Sequence, residues 1–223
     1  MTTVTKMRLS KETFNILKNF SAINSNILIK PGNRIKTVSS GKNIFAEANV
    51  QEDFDTEVGI WDLNKFLGVI SMFNNPDLEF HEKYVEISNG ISSVKYYYSE
   101  PTLLTVPPKD VKMPDVMFSF DLDEKDLNEI LKASSILQVS NLNIVAKDGE
   151  IKIVVSDEKD DTSNSFSVTV NEDYSGPDYV GSLDVSDIKF LPGSYKVELS
   201  KGIVSRFKHI AQDLSYYIAI KRG

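Results

Sequence analysis

Four lysines are the residues whose type and spacing in this chain suggest a function. Lys11, Asn15 and Lys18 stand four and three residues apart, and Lys125, Asn128 and Lys132 stand three and four apart, so on a helix each trio shares one side. Amines on long flexible stems can follow a row of phosphates as point charges without reading a base. Other chemistry is scarce. The two histidines, His81 and His209, lie in different halves in strand-like surroundings, with no metal-ligand spacing and no nucleophile-base arrangement. Cysteine is absent, which excludes disulfides, a thiol nucleophile and Cys-type metal sites and fits a reducing setting. No glycine-rich phosphate loop occurs. The run Asp157-Glu158-Lys159-Asp160-Asp161 lacks the glycine and closing glutamate of an EF-hand loop and reads as a solvated loop rather than a cation site. Asn19-Phe20-Ser21 spells a glycosylation acceptor but falls inside an expected helix. The expectation is a protein that is not an enzyme and uses no cofactor and no metal.

The elements that must position these lysines come in two copies. From Ser10 to Asn24, Phe14, Leu17, Phe20 or Ala22, and Ile23 recur at helical steps, with Ser10 as the N-cap. In the second half, carboxylates at Asp121, Asp123 and Glu124 are expected to cap a helix whose inward residues are Leu127, Ile130, Leu131 and Ile136. The duplication runs on past the helices. Ile16-Leu17-Lys18 recurs as Ile130-Leu131-Lys132. Ser25-Asn26-Ile27 before one expected hairpin matches Ser140-Asn141-Leu142 before another, with turns at Lys30-Pro31-Gly32 and Lys147-Asp148-Gly149. Val58-Gly59 and Asp62-Leu63 match Val180-Gly181 and Asp184-Val185 at identical spacing. Each aspartate is expected to start a second helix, from Asp62 to about Met72 and, shorter, from Asp184 to Phe190 before Pro192-Gly193. Period-two segments such as Ile151, Ile153, Val155 and Phe166, Val168, Val170 read as strands. Tyrosine clusters close each half, Tyr96-Tyr97-Tyr98 and Tyr216-Tyr217. The prolines of TVPPKDVKMPDV disfavour helix and interior strand, giving an α+β domain at 1–106, a connector at 107–117 and a second α+β domain at 118–223.

With 223 residues, 41% hydrophobic and 26% charged, the chain can bury one large or two small cores, which excludes disorder, collagen and coiled coil as whole-chain answers. No apolar run follows the first lysine, so no signal peptide is expected, and Phe66 to Ile70 is too short to span a membrane. The net charge of −7 argues against nucleic acid only as a long-range field. Divided after Asp110, the chain has 12 basic and 13 acidic residues in the first part and 13 and 19 in the second, so a DNA site must be a local basic face on an acidic body. On one helix such lysines would be ordinary solubilising residues. Their recurrence in both halves, with Lys65 and Lys189 on the second helices, points instead to a surface for a phosphate backbone without sequence readout.

The stretch MRLSKETFNILKNFSAINSNILIKPG, the segment IWDLNKFLGVIS and the turn and strand LPGSYKVEL together resemble the sliding clamps of T-even-type bacteriophages, in order along the whole chain. The last strand, DLSYYIAIK, is similar to the closing strand of the eukaryotic proliferating-cell clamp. The resemblance implies two similar clamp-type domains per chain and a homotrimeric ring, with helices lining its interior and β-sheets forming its outer layer. It implies double-stranded DNA, bound without sequence preference, as one partner. A DNA polymerase, an ATP-dependent clamp loader and late-transcription factors are the protein partners implied, in the cytoplasm of an infected bacterial host and with no membrane role. Carried over residue by residue, it places Arg8, Lys11 and Lys18 toward DNA, while Lys65, Lys125, Lys132 and Lys189 rest on the helix-face argument. A partner peptide would dock on Val106, Val111, Met113, Val116, Ile218 and Ile220, whose alternative role is plain core packing. Subunits would meet along sheet edges, around Lys95 to Val106 and Phe166 to Val170. The rival function is a phage structural or assembly adaptor of tandem α+β domains that does not bind DNA.

Overall fold

Ser10 starts the first helix as its sequence position suggests: its backbone is extended and its hydroxyl accepts the Thr13 N–H at 3.1 Å. The computed structural model describes residues 5–107, 111–157 and 162–221, and the chain divides into two compact units, Met1–Asp110 and Val111–Gly223. In the first unit the order is β1 (Thr5–Met7), α1 (Lys11–Ile23), β2 (Ile27–Ile29), β3 (Gly32–Val38), β4 (Ile44–Phe54), β5 (Val58–Ile60), α2 (Leu63–Ser71), β6 (Asp77–Phe80), β7 (Tyr84–Ser88) and β8 (Ser93–Tyr97). The second unit runs β9 (Val116–Leu122), α3 (Glu124–Leu137), β10 (Asn141–Lys147), β11 (Glu150–Ser156), β12 (Phe166–Asn171), β13 (Tyr179–Asp184), a 3-10 turn (Val185–Asp187), β14 (Tyr195–Ser200), β15 (Val204–His209) and β16 (Leu214–Ala219).

The pairings make the two units copies of one topology. In the first, β1, β6, β7 and β8 are neighbours in that order, all antiparallel; in the second, β9, β14, β15 and β16 repeat the arrangement. The β2–β5 and β3–β4 pairs of the first unit correspond to β10–β13 and β11–β12 of the second. One backbone bond recurs at matched positions: Leu63 N–H donates to Ser25 O at 2.7 Å, and Val185 N–H to Ser140 O at 2.8 Å. Two buried asparagines also correspond. Asn26 Oδ1 accepts the Thr105 N–H at 2.9 Å, and Asn141 Oδ1 accepts the Lys221 ammonium, so each holds the returning end of its own unit.

Each helix lays an apolar stripe on its unit's strands. In α1 the buried residues are Thr13, Ile16, Leu17, Phe20 and Ile23, against β3, β4 and α2. Phe14 is half-buried and Ala22 exposed, so the inward stripe is set by Ile16, Leu17, Phe20 and Ile23. Asn19-Phe20-Ser21 lies inside α1 as expected, with Phe20 fully buried. In α3 the buried residues are Leu127, Ile130 and Ser134, and Ile136 is 68% exposed, contrary to expectation. Six residues on from Ile130, it has rotated to the far side, and the small Ser134 takes the inward place, donating to Val139 O.

Three further expectations are corrected. The carboxylates at Asp121 to Glu124 do not cap α3 with their side chains; the Glu124 N–H donates to Ser194 Oγ at 3.0 Å, from the turn before β14. Lys30-Pro31-Gly32 does not close a two-strand hairpin, because β2 pairs with β5 while β3 pairs with β4. Its counterpart Asp148-Gly149 does, with both residues left-handed at φ 53° and 85°, the backbone a type I′ hairpin requires. The helix expected from Asp184 to Phe190 is only the 3-10 turn Val185–Asp187. In α2 the apolar residues Leu63, Phe66, Leu67 and Ile70 make a stripe across two turns; after Val185 the corresponding steps hold Ile188 and the charged Lys189, so a nucleated turn has nothing to propagate on. Phe190 instead enters an aromatic cluster, 4.6 Å from the Tyr216 ring and 4.7 Å from that of Phe207. Val116 and Met117, assigned to the connector, already belong to β9, while Pro108, Lys109 and Asp110, like Glu158 to Asp161 of the acidic run, lie outside the described residues.

Candidate nucleic-acid interface

The lysine face of the first unit is built by two packed helices. Buried residues alternate with exposed ones along α1 so that Lys11, Asn15 and Lys18 all face solvent. Asp62 caps α2, its carboxylate accepting the Lys65 N–H at 2.9 Å, and Lys65 itself is exposed. Ser21 Oγ donates to Lys18 O at 2.7 Å and lies 2.8 Å from Asn64 Oδ1, which ties the turn carrying Lys18 to the start of α2, one residue before the exposed Lys65. The first turn of α1 is anchored from behind. Glu52 on β4 accepts the Ser10 N–H with one oxygen and the Thr13 hydroxyl with the other, placing a carboxylate at the positive end of the helix.

In the second unit Lys125, Asn128 and Lys132 are exposed on α3. Lys125 reaches Glu129 at 3.8 Å, one turn on. Lys189, expected on a helix, follows the 3-10 turn and is half-buried, its N–H donating to Asp187 O at 2.9 Å. It does not share an exposed helix face with Lys125 and Lys132. Arg8 precedes α1, and its Nε donates to Asp77 Oδ1 at 2.6 Å, with Lys6 joining Asp77 at 3.1 Å. The hydrogen bond from Arg8, then that from Lys6, holds the Asp77 carboxyl below its ordinary range, and the same contacts raise Lys6 and Arg8.

Of the residues expected to take a partner peptide, Val106 is half-buried in the first unit; Val111 and Met113 are half-buried and Val116 is 44% exposed in the second. Ile218 is fully buried and Ile220 is 7% exposed, so these two are core residues as the chain stands. His209 is structural: Nδ1 accepts the Ala211 and Gln212 N–H groups at 3.0 and 3.2 Å, and Nε2 lies 3.2 Å from Pro192 O. Among the described residues no group of three or more histidines and carboxylates could hold a metal ion, and no helix is long and apolar enough to cross a membrane.

Sequence reading missed a groove of about 440 Å³ beside the last turn of α3, lined by Lys132, Ala133, Ile136, Leu137 and Phe166. Its signal was available: with Leu127 and Ile130 taken as inward, Ile136 falls off the stripe, and an isoleucine on the outer face needs a cover. Phe166 opens β12, the outer strand of its sheet, and β8 is likewise an outer strand of its own.

A duplicated helix-on-sheet unit, with exposed lysines along one helix in each copy and no constellation for bond chemistry among the described residues, has the architecture of a clamp-type protein. Residues 10–101 match the family model described as DNA polymerase processivity factor, and residues 119–222 match that described as gp45 sliding clamp, C terminal. The sliding clamp of Enterobacteria phage T4 is 31% identical over 223 residues, covering 96% of this chain and 97% of that protein. That of Escherichia phage RB69 is 31% identical over 222 residues, with the same coverage of 96% and 97%. The chain belongs to the phage sliding-clamp family of DNA polymerase processivity factors, which are not enzymes. The fold is also that of the proliferating cellular nuclear antigen of Entamoeba histolytica, at TM-score 0.71 and 12% identity, covering 97% of this chain and 98% of that one. The corresponding protein of Thermococcus kodakaraensis gives 0.72 at 12% identity, covering 97% and 99%.

Proposed function

We propose that three copies of this chain close into a ring around duplex DNA and hold the replicative polymerase to its template. The observation that carries the reading is the pair of helices, α1 and α3, that present exposed lysines at matched places in two copies of one unit. Lysines contact phosphates as point charges, and a helix that crosses the backbone without entering a groove reads no base edge. No position along the duplex is then preferred and the protein slides. Retention comes from closure of the ring, so the complex outlives its individual contacts. Arg8 contributes less than the helix lysines, since Asp77 already engages it.

Ring closure would use the outer strands β8 and β12, whose alternating half-exposed residues suit strand addition, with Ile136 and Phe166 covered by the neighbouring copy. Partner peptides would dock on the exposed and half-buried residues Val111, Met113 and Val116 of the second unit, with Ile218 and Ile220 as core residues of that unit. An ATP-dependent loader opens the ring, late-transcription factors share the docking surface, and the setting is the infected bacterial cell.

The test compares retention on nicked circular DNA with retention on the same DNA linearised, after loading with ATP and the partner loader. The clamp persists on the circle and leaves the linear form through its ends. Equal retention on both, or a protomer that stays monomeric at every concentration in light scattering, overturns the reading.

A further inference from the structure

The two lysine faces are matched in position but not in charge. Counting back from equivalent residues, Ser10, Glu12 and Asn15 of the first unit correspond to Glu124, Asp126 and Glu129 of the second, while Lys11 and Lys18 correspond to Lys125 and Lys132. The residue one turn beyond Lys11 is therefore a neutral amide, whereas the residue one turn beyond Lys125 is a carboxylate 3.8 Å from its ammonium. Helices α1 and α2 together hold three lysines and one glutamate; α3 holds two lysines and three carboxylates. By the same correspondence that equates Asp62 with Asp184, the position of exposed Lys65 is held in the second unit by Asp187, which is 8% exposed and sits in a 3-10 turn rather than a helix. Glu12, the one acid of α1, lies on its flank with Gln51 Nε2 at 3.2 Å.

We infer that the N-terminal unit carries the phosphate contacts, through Lys11, Lys18 and Lys65, and that the α3 face of the C-terminal unit is a weakly interacting spacer whose lysines are offset by Glu124 and Glu129. The inference rests on the clamp reading. Its consequence is that binding strength around a trimer alternates between strong and weak faces instead of being evenly shared. An uneven ring holds duplex DNA by its N-terminal units, and the acidic neighbours of Lys125 and Lys132 limit how tightly the remaining faces grip, which favours sliding over arrest.

The experiment measures binding of the full-length protein to a short fluorescein-labelled duplex by anisotropy, across a salt series, for wild type and three variants. Lys11→Gln with Lys18→Gln and Lys125→Gln with Lys132→Gln are matched pairs at exposed positions, and Glu129→Gln gives the second unit the neutral neighbour that Asn15 provides in the first. Each phosphate contact costs about 3.5-fold in affinity between about 50 and about 200 mM salt, so losing two flattens that dependence by about 12-fold. The first pair is expected to show that flattening for each engaged protomer, the second pair to change affinity by less than about twofold, and Glu129→Gln to tighten binding with a steeper salt slope. Equal losses from the two pairs, or a Glu129→Gln variant that binds like wild type, overturn the division between the units while leaving the clamp reading intact. A wild-type protein with no salt-dependent binding to the duplex overturns the clamp reading and this inference with it.

Discussion

Replacing Glu52 by alanine tests whether the lysine face depends on support from outside its own helix. Glu52 is on β4, yet its two oxygens accept the Ser10 N–H and the Thr13 hydroxyl at the start of α1. Thr13 is fully buried, and the Ser10 N–H precedes a turn that has no intrahelical partner for it. Hydrogen bonds to a charged group contribute about 1.5 to 3 kcal/mol each, and an anion at a helix N-terminus adds about 0.3 to 1 kcal/mol. Because Glu52 is only half-buried, the lower ends apply, which gives about 3 kcal/mol for Glu52→Ala and about half of that for Glu52→Gln, which keeps one acceptor. For a unit of this size that corresponds to a fall of roughly 10 °C or more in its melting temperature. Urea unfolding gives the total, and amide hydrogen exchange shows whether the loss begins in the first turn of α1. Faster exchange should appear around Thr13 to Ile16 while α3 keeps its protection. A Glu52→Ala protein within about 0.5 kcal/mol of wild type, with unchanged exchange in α1, refutes the claim that this carboxylate anchors the helix.

Two other perturbations follow from single contacts. Asp77 titrates below its ordinary value in the folded chain because Arg8 and Lys6 bind its charged form, so its contribution is present above the unfolded value of about 3.9 and is lost as pH falls through the lower folded value. Urea unfolding of wild type and Asp77→Asn should accordingly differ at neutral pH and converge as pH falls through the lowered folded value; a gap that widens on acidification contradicts the ion-pair account. Gly59 has no room for a side chain, since a Cβ there would lie 2.4 Å from Ser99 O and 3.1 Å from Leu104 Cδ1. Gly59→Ala should cost about 1 to 3 kcal/mol by forcing that backbone apart, and a variant as stable as wild type in thermal unfolding shows that the 99–104 segment yields freely.

What the sequence determined by itself was whatever repeats within one element. The exposed sides of α1 and α3, the caps at Ser10 and Asp62, the hairpin turn at Asp148-Gly149 and the duplication are all local patterns, because side-chain direction follows from a period of 3.6 or 2 and a cap lies within three residues of its partner. Only the tertiary structure decided the rest. The contacts of Glu52 with Ser10, Asp77 with Arg8, and Ser194 with Glu124 join residues 42, 69 and 70 positions apart, and no periodicity links them. The same holds for the pairing of β2 with β5 instead of β3 and for the short turn after Asp184, where Phe190 is claimed by an aromatic cluster. Lysine positions and their neighbours one turn on, Asn15 beside Lys11 and Glu129 beside Lys125, were therefore legible one helix at a time, whereas the hold of Asp77 on Arg8 exists only in the folded chain.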